Sequence, residues 1–192
     1  MSTLFLLCGL PGTGKSTLAR GIHTMFSHFN YFSLENTRRA LKHSTYLPER
    51  NFEVYQKNYF DMQFVMEAKE PIIFDSNASL IRRRLEVIKL AKRYQYQVII
   101  IECVCPEEIA KTRIENRPVY NDGLFEEPNT TFVYDNLKQR WIAIGDAELK
   151  YDHVHYFVYH SHTKKIETKV SSAEIKETLE RMLNALNHEK EV

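Results

Sequence analysis

The sequence predicts an α/β fold: a mostly parallel sheet with helices on both faces. Three observations predict it. Apolar strand-like runs alternate with helical patterns along most of the chain. The runs Thr3–Cys8 and Gln97–Val104 are almost entirely apolar, as in strands covered on both faces. The composition is that of an ordinary globular chain, with 192 residues, 43% hydrophobic and 27% charged. That length suits a single domain spanning 1–192.

The elements follow in order. Thr3–Cys8 reads as a central strand and Ser16–Met25 as a helix, followed by a weaker strand at Asn30–Leu34 and a short helix at Glu35–Lys42. Residues 48–69 read as a helix whose stripe is Phe52, Tyr55, Tyr59, Met62 and Met66. Pro71–Phe74 is a short buried strand ending at Asp75, and Leu80–Arg93 is an amphipathic helix carrying Leu85, Ile88 and Ala91. Gln97–Val104 is the strongest strand, Pro106–Asn116 a helix, and Pro118–Asn129 a loop rich in Pro, Gly and Asn. Thr131–Leu149 reads as one helix. His155–Tyr159 and Lys165–Val170 read as strands of a hairpin turning at 160–163. Ser171–Leu186 is the final helix, with a capping box from Ser171 to Glu174 and a stripe of Ile175, Leu179, Met182 and Leu186.

Composition excludes several classes. Six Gly and six Pro rule out a collagen-like or linker-dominated chain. No apolar run approaches the roughly 20 residues that cross a bilayer, and the interrupted run Met1–Leu10 lacks the charged start of a signal peptide. Cys8, Cys103 and Cys105 sit in apolar runs without a disulfide framework, which suits a reducing, cytoplasmic setting. A net charge of +1 gives no global field toward nucleic acid or membrane.

One motif dominates. Gly9-Leu10-Pro11-Gly12-Thr13-Gly14-Lys15-Ser16 fits GxxxxGK[ST] between a strand and a helix. Backbone N–H groups curl around an anion only where glycine allows unusual dihedrals. The helix start then directs its positive dipole end at phosphates. Lys15 is placed to reach β- and γ-phosphates, and the Ser16 hydroxyl to ligate Mg²⁺. A GxGxxG dinucleotide motif is excluded, because Thr17 stands three residues after Gly14.

Three further features are candidates. Asp75, ending a buried strand in Asp75-Ser76-Asn77, lies where α/β sheets bind ligands and could hold Mg²⁺; Asp75 and Asn77 equally suit capping of the next helix. Glu35 could accept a proton from an attacking hydroxyl, with Arg38 one turn later holding an anion; the bland reading is a helix-start acid beside solvated arginines. Arg113 and Arg117, spaced i,i+4 before the 118–129 loop, could clamp a transferring phosphate or pair with Glu108 and Glu115.

Together these features resemble the P-loop kinases grouped with phage polynucleotide kinase and the bacterial predicted-kinase, ATP-binding proteins, over about Thr3 to Arg117. The resemblance implies a three-layer P-loop fold with kinase-type strand order and a small lid at about 113–130. It implies ATP and Mg²⁺, with ATP phosphates bound by Gly9, Gly12, Thr13, Gly14, Lys15, Ser16 and Thr17, and the metal by Ser16 and Asp75. It implies Glu35 as general base, where the family usually carries Asp, Arg38 as acceptor-phosphate arginine, and Arg113 and Arg117 as lid arginines. Leu34 replaces a polar neighbour of that base. The implied activity is transfer of the γ-phosphate of ATP to a hydroxyl, foremost a polynucleotide 5′-OH or a nucleotide-like molecule. A small phosphorylated metabolite, a nucleotide sugar, or a nucleotide-dependent switch without an acceptor are the alternatives.

Weaker signals remain. Arg82, Arg83, Arg84, Lys89, Lys92 and Arg93 read as a solvated basic helix face opposed by Glu86 alone, with a nucleic-acid track as the sharper reading. His153, His155, His160 and His162 lack the Cys or acidic companions of a metal set. Cys103 and Cys105 read as buried apolar filler, Trp141 as core, and Tyr46, Tyr55 and Tyr59 as core residues able to stack a base.

Overall fold

The computed structural model describes residues 2–42, 48–117 and 131–188. In chain order the elements are β1 (Ser2–Cys8), α1 (Lys15–Met25), β2 (Asn30–Ser33), α2 (Leu34–Ala40), α3 (Pro48–Glu67), β3 (Ile72–Asp75) and α4 (Ile81–Arg93). There follow β4 (Tyr96–Val104), α5 (Glu107–Glu115), α6 (Phe132–Arg140), α7 (Asp146–Leu149), β5 (Val154–His160), β6 (Lys165–Val170) and α8 (Ala173–His188).

The apolar β1 lies inside a six-stranded sheet of order β2-β3-β1-β4-β5-β6. It pairs in parallel with β3 on one side and β4 on the other, so that Leu6 is flanked by Phe74 and Ile100. Among the described strands only β6 runs antiparallel, joined to β5 as the expected hairpin, with His160 opposite Lys165. Period-two alternation then divides the core. Leu4, Leu6, Phe74, Val98 and Ile100 meet Met62 and Met66 of α3 and Val87 and Ile88 of α4. Leu7, Ile73, Ile99 and Ile101 meet Leu18 and Ile22 of α1 and Leu179 and Leu183 of α8. This is a three-layer α/β arrangement, and β1 to β5 all end at one edge of the sheet.

Four readings need correction. Residues 131–149 do not form one helix: α6 stops at Arg140, Trp141 is extended (ψ 122°), and α7 resumes at Asp146. The reason is Arg84. It is completely buried, its Nε lies 2.5 Å from Glu148 Oε1, and its guanidinium donates to the carbonyls of Ala78 (2.8 Å) and Ile142 (2.8 Å). With its side chain tied to both Ile142 and Glu148, Arg84 holds the non-helical link between α6 and α7 in place. The solvated reading of the α4 basic face holds for Arg82, Lys89, Lys92 and Arg93, which are exposed, and needs correction at Arg84 and Arg83. Arg84 is interior, Arg83 is bound to Glu86 with its guanidinium 4.1 Å from the Tyr55 ring centroid, and Arg82 also pairs with Glu86.

On α3, Phe52 is 51% exposed, and the buried row is Val54, Asn58, Met62 and Met66. The cap of α8 falls one residue late: Ser172 Oγ accepts from Ile175 N at 3.4 Å, while Ser171 Oγ donates to the Ser172 carbonyl. Tyr46 and the loop expected at 118–129 lie outside the described residues.

Candidate active site

The loop Gly9–Gly14 leaves the end of β1 and enters α1 at Lys15. Gly12 (φ 77°) and Gly14 (φ 90°) adopt the left-handed region that side chains disfavour. Close approach excludes a side chain as well. A Cβ on Gly12 would stand 2.3 Å from the Ala110 carbonyl oxygen of α5, and one on Gly14 2.9 Å from Cβ of Ser161 in the β5–β6 turn. The loop is therefore wedged between α5 and that turn. Thr13 Oγ1 and Lys15 Nζ both donate to the Leu10 carbonyl at 2.7 Å, so the loop closes around its own lysine. Ser16 and Thr17 follow in the first turn of α1, where unpaired N–H groups and the helix dipole favour an anion.

Lys15 is 7% exposed, and burial pushes its pKa down while the Asp75 carboxylate draws it back up. Asp75 ends β3 at 5% exposure, and its Oδ2 accepts from the Tyr31 hydroxyl at 3.0 Å. Burial raises the Tyr31 pKa, and the carboxylate raises it further, so this phenol stays a donor. Ladder-like bonds run on past the strand ends: Ser76 N donates to the Leu7 carbonyl (3.1 Å), and Gly9 N to the Asn77 carbonyl (3.2 Å). The segment 75–77 and the glycine loop are thus laced together.

Arg113 of α5 reaches the loop, and Arg117 stands two residues past the end of that helix. Arg113 Nη1 donates to Ser161 Oγ at 2.8 Å and to the Gly12 carbonyl at 3.3 Å. The positive charge of Arg117 is close enough to contribute to the lowering of the Lys15 pKa. Glu107, Lys111, Asp135 and Lys138 join α5 to α6, and the lysines hold the Glu107 carboxyl down at about 2.

Glu35 and Arg38 are not brought together. Ser33 caps α2 by accepting from Asn36 N at 3.4 Å, which sets the phase of the helix. The Glu35 side chain, 50% exposed, then pairs with Arg39 at 3.0 Å. Arg38 turns inward at 5% exposure and donates to Asn51 Oδ1 on α3.

Ser16 and Asp75 supply a hydroxyl and a carboxylate, the oxygen donors that Mg²⁺ takes, so the residues fit that ion. Among the described residues no group of three or more His, Cys, Asp and Glu could hold a metal. Any Mg²⁺ here would complete its shell with phosphate and water. Sequence reasoning missed Tyr31 and Ser161, whose role depends on strand register and on a distant turn. Cys103, buried, has its thiol pushed up to about 12, which suits apolar filler; Cys105 lies past the end of β4.

Comparison with known proteins agrees with this geometry. A family model described as an AAA domain matches residues 4–137. No curated protein matches. Among solved structures, a sugar kinase from Janibacter sp. aligns with a TM-score of 0.60 and 14% identity, over 84% of this chain and 87% of that one. Kti12 from Chaetomium thermophilum in complex with ADP-AlF3 aligns at 0.57 and 18% identity, over 82% and 88%. A fungal RNA kinase aligns at 0.56 and 14% identity, over 89% and 78%. The chain spans 65% of the length of a Chloroflexus aurantiacus protein, with a TM-score of 0.53 and 18% identity. The fold shared with these structures is the three-layer α/β P-loop fold. No described helix is long and apolar enough to cross a membrane.

Proposed function

As the chain belongs to the AAA domain family, we propose that it is an ATP-dependent phosphotransferase that moves the γ-phosphoryl group of ATP to a hydroxyl acceptor. The observation that carries this reading is the buried Lys15, closed in its glycine loop with Asp75 beside it and Arg113 across it. Catalysis of this kind is mainly positioning and charge neutralisation. The loop N–H groups and Lys15 bind the β- and γ-phosphates, displacing Lys15 from the Leu10 carbonyl. Arg113 and Arg117 take up negative charge as it spreads over the transferring group. Bound Mg²⁺, held by Ser16 and Asp75, would neutralise further phosphate charge. The acceptor oxygen attacks phosphorus, the bond to the β-phosphate oxygen breaks, and ADP leaves. Glu35, exposed on α2, accepts the hydroxyl proton once an acceptor displaces Arg39 from it.

The acceptor we favour is a polynucleotide 5′-OH or a nucleotide-like molecule, a reading consonant with the likeness to a fungal RNA kinase. On α4, Arg83 and Arg84 are engaged with Glu86 and Glu148, while Arg82, Lys89, Lys92 and Arg93 stay exposed as basic surface for a strand.

The test is labelled ATP with 5′-OH DNA and RNA oligomers, nucleotides and phosphorylated sugars. Transfer to one of these classes is expected, and Glu35→Gln should lower it about 10²–10⁴-fold with ATP affinity unchanged. ATP hydrolysis that no acceptor stimulates would instead make this a nucleotide-dependent switch.

A further inference from the structure

The β5–β6 turn lies outside the stretch matched by the family model, which ends at residue 137. It nevertheless meets the phosphate loop, β4 and α5, in each case through Ser161. The Ser161 backbone N–H donates to the Val104 carbonyl at 3.0 Å, seating the turn on the end of β4. Its Cβ lies where a side chain on Gly14 would have to go, 2.9 Å from that position. Its Oγ accepts from Arg113 Nη1 at 2.8 Å. The same nitrogen also reaches the Gly12 carbonyl at 3.3 Å, so one guanidinium spans the gap from α5 across the loop to the turn.

A long arginine free to sample its rotamers must be ordered before it meets a ligand, and that ordering weakens binding. An arginine already held over the loop has made that adjustment. We infer that Ser161 is a positioning residue for nucleotide binding, holding the Arg113 guanidinium across the phosphate loop so that the phosphates of ATP meet a preformed cation. This rests on the reading that the loop binds ATP. The flanking rings of His160 and His162, with centroids 6.3 Å apart, belong to the same turn. The role assigned to Ser161 needs neither of them to change charge.

The experiment is a double-mutant cycle on ATP affinity, measured by calorimetric titration of the full chain. Ser161→Ala removes the hydroxyl and keeps the Cβ against Gly14, so the seat of the turn is preserved. It should weaken ATP binding about three- to tenfold, the net scale of one typical hydrogen bond. Arg113→Ala should weaken binding by at least as much, and the double variant should bind no more weakly than Arg113→Ala alone. Additive losses, or wild-type affinity in Ser161→Ala, would overturn the assignment. The cycle isolates the coupling even if Ser161→Ala lowers the melting temperature, because that loss is shared by both backgrounds. A wild-type chain that binds no ATP overturns the nucleotide reading itself, whereas normal wild-type binding with an additive cycle overturns only the role of Ser161.

Discussion

Lys15 is a cation almost without water around it, and burial alone would favour its neutral form. Its compensation is local: the Leu10 carbonyl accepts its proton at 2.7 Å and Asp75 supplies the opposing charge. Lys15→Met keeps the stem and removes the charge. It should lower phosphoryl transfer by about 10²–10³ or more, while the chain keeps a cooperative melt at a somewhat lower temperature, because the buried Asp75 loses its opposing charge. Turnover at saturating ATP beside a thermal melt checks both halves, and near-normal turnover would place the nucleotide elsewhere. Lys15 was legible in the sequence because its partners are contiguous with it. Tyr31 was not: it meets Asp75 only because β2 and β3 pair in the register Tyr31–Ile73 and Ser33–Asp75. The separation of Glu35 from Arg38 was not legible for a related reason. A spacing of three suggested one face, yet Arg39 at a spacing of four is the better partner on an exposed helix, leaving Arg38 to turn inward.

At the level of elements, Arg84 binds α4 to the segment before α7. Its ion pair with Glu148 is fully buried on both sides, and its remaining N–H groups satisfy carbonyls of residues 78, 79, 142 and 143. Removing one member of such a pair leaves the other charge stranded, at about 3–5 kcal/mol. Arg84→Ala and Glu148→Leu should each destabilise on that scale in chemical denaturation. The double variant Arg84→Met, Glu148→Leu should recover only in part, because the carbonyls of Ala78 and Ile142 still lose their donor. Full recovery would mean that the carbonyl bonds contribute nothing. The strands and α1 were legible because their apolar runs and the glycine motif are local signals. The break at Trp141 was not, since it is held in place by an arginine far away in the chain.

For the molecule as a whole, the clearest proton-linked stress lies in the sheet itself. His155 of β5 is 7% exposed, its Nε2 has no hydrogen-bond partner among the described residues, and burial together with His153 lowers its pKa. The unfolded chain, with an ordinary histidine pKa of about 6.5, therefore binds the proton more readily than the folded one. Stability from this residue is fully present above about pH 6.5 and is lost as pH falls from there toward the folded value. Denaturation midpoints at several pH values between 5 and 8 should fall on the acid side, and His155→Leu should flatten that dependence. An unchanged slope in the variant would assign the acid response to other groups.

The lacing between residues 75–77 and the glycine loop has a consequence for how two ligands would sense each other. Leu7, Gly9, Ser76 and Asn77 share two backbone hydrogen bonds, so a shift of one segment strains the other. If an acceptor displaces 75–77 on binding, it strains the phosphate loop too. Thermodynamic reciprocity then requires that ATP change the acceptor's affinity by the same factor as the acceptor changes that of ATP. The order in which the two arrive would leave that factor untouched, and a pair of titrations, each performed with the other ligand absent and then saturating, would have to return one number.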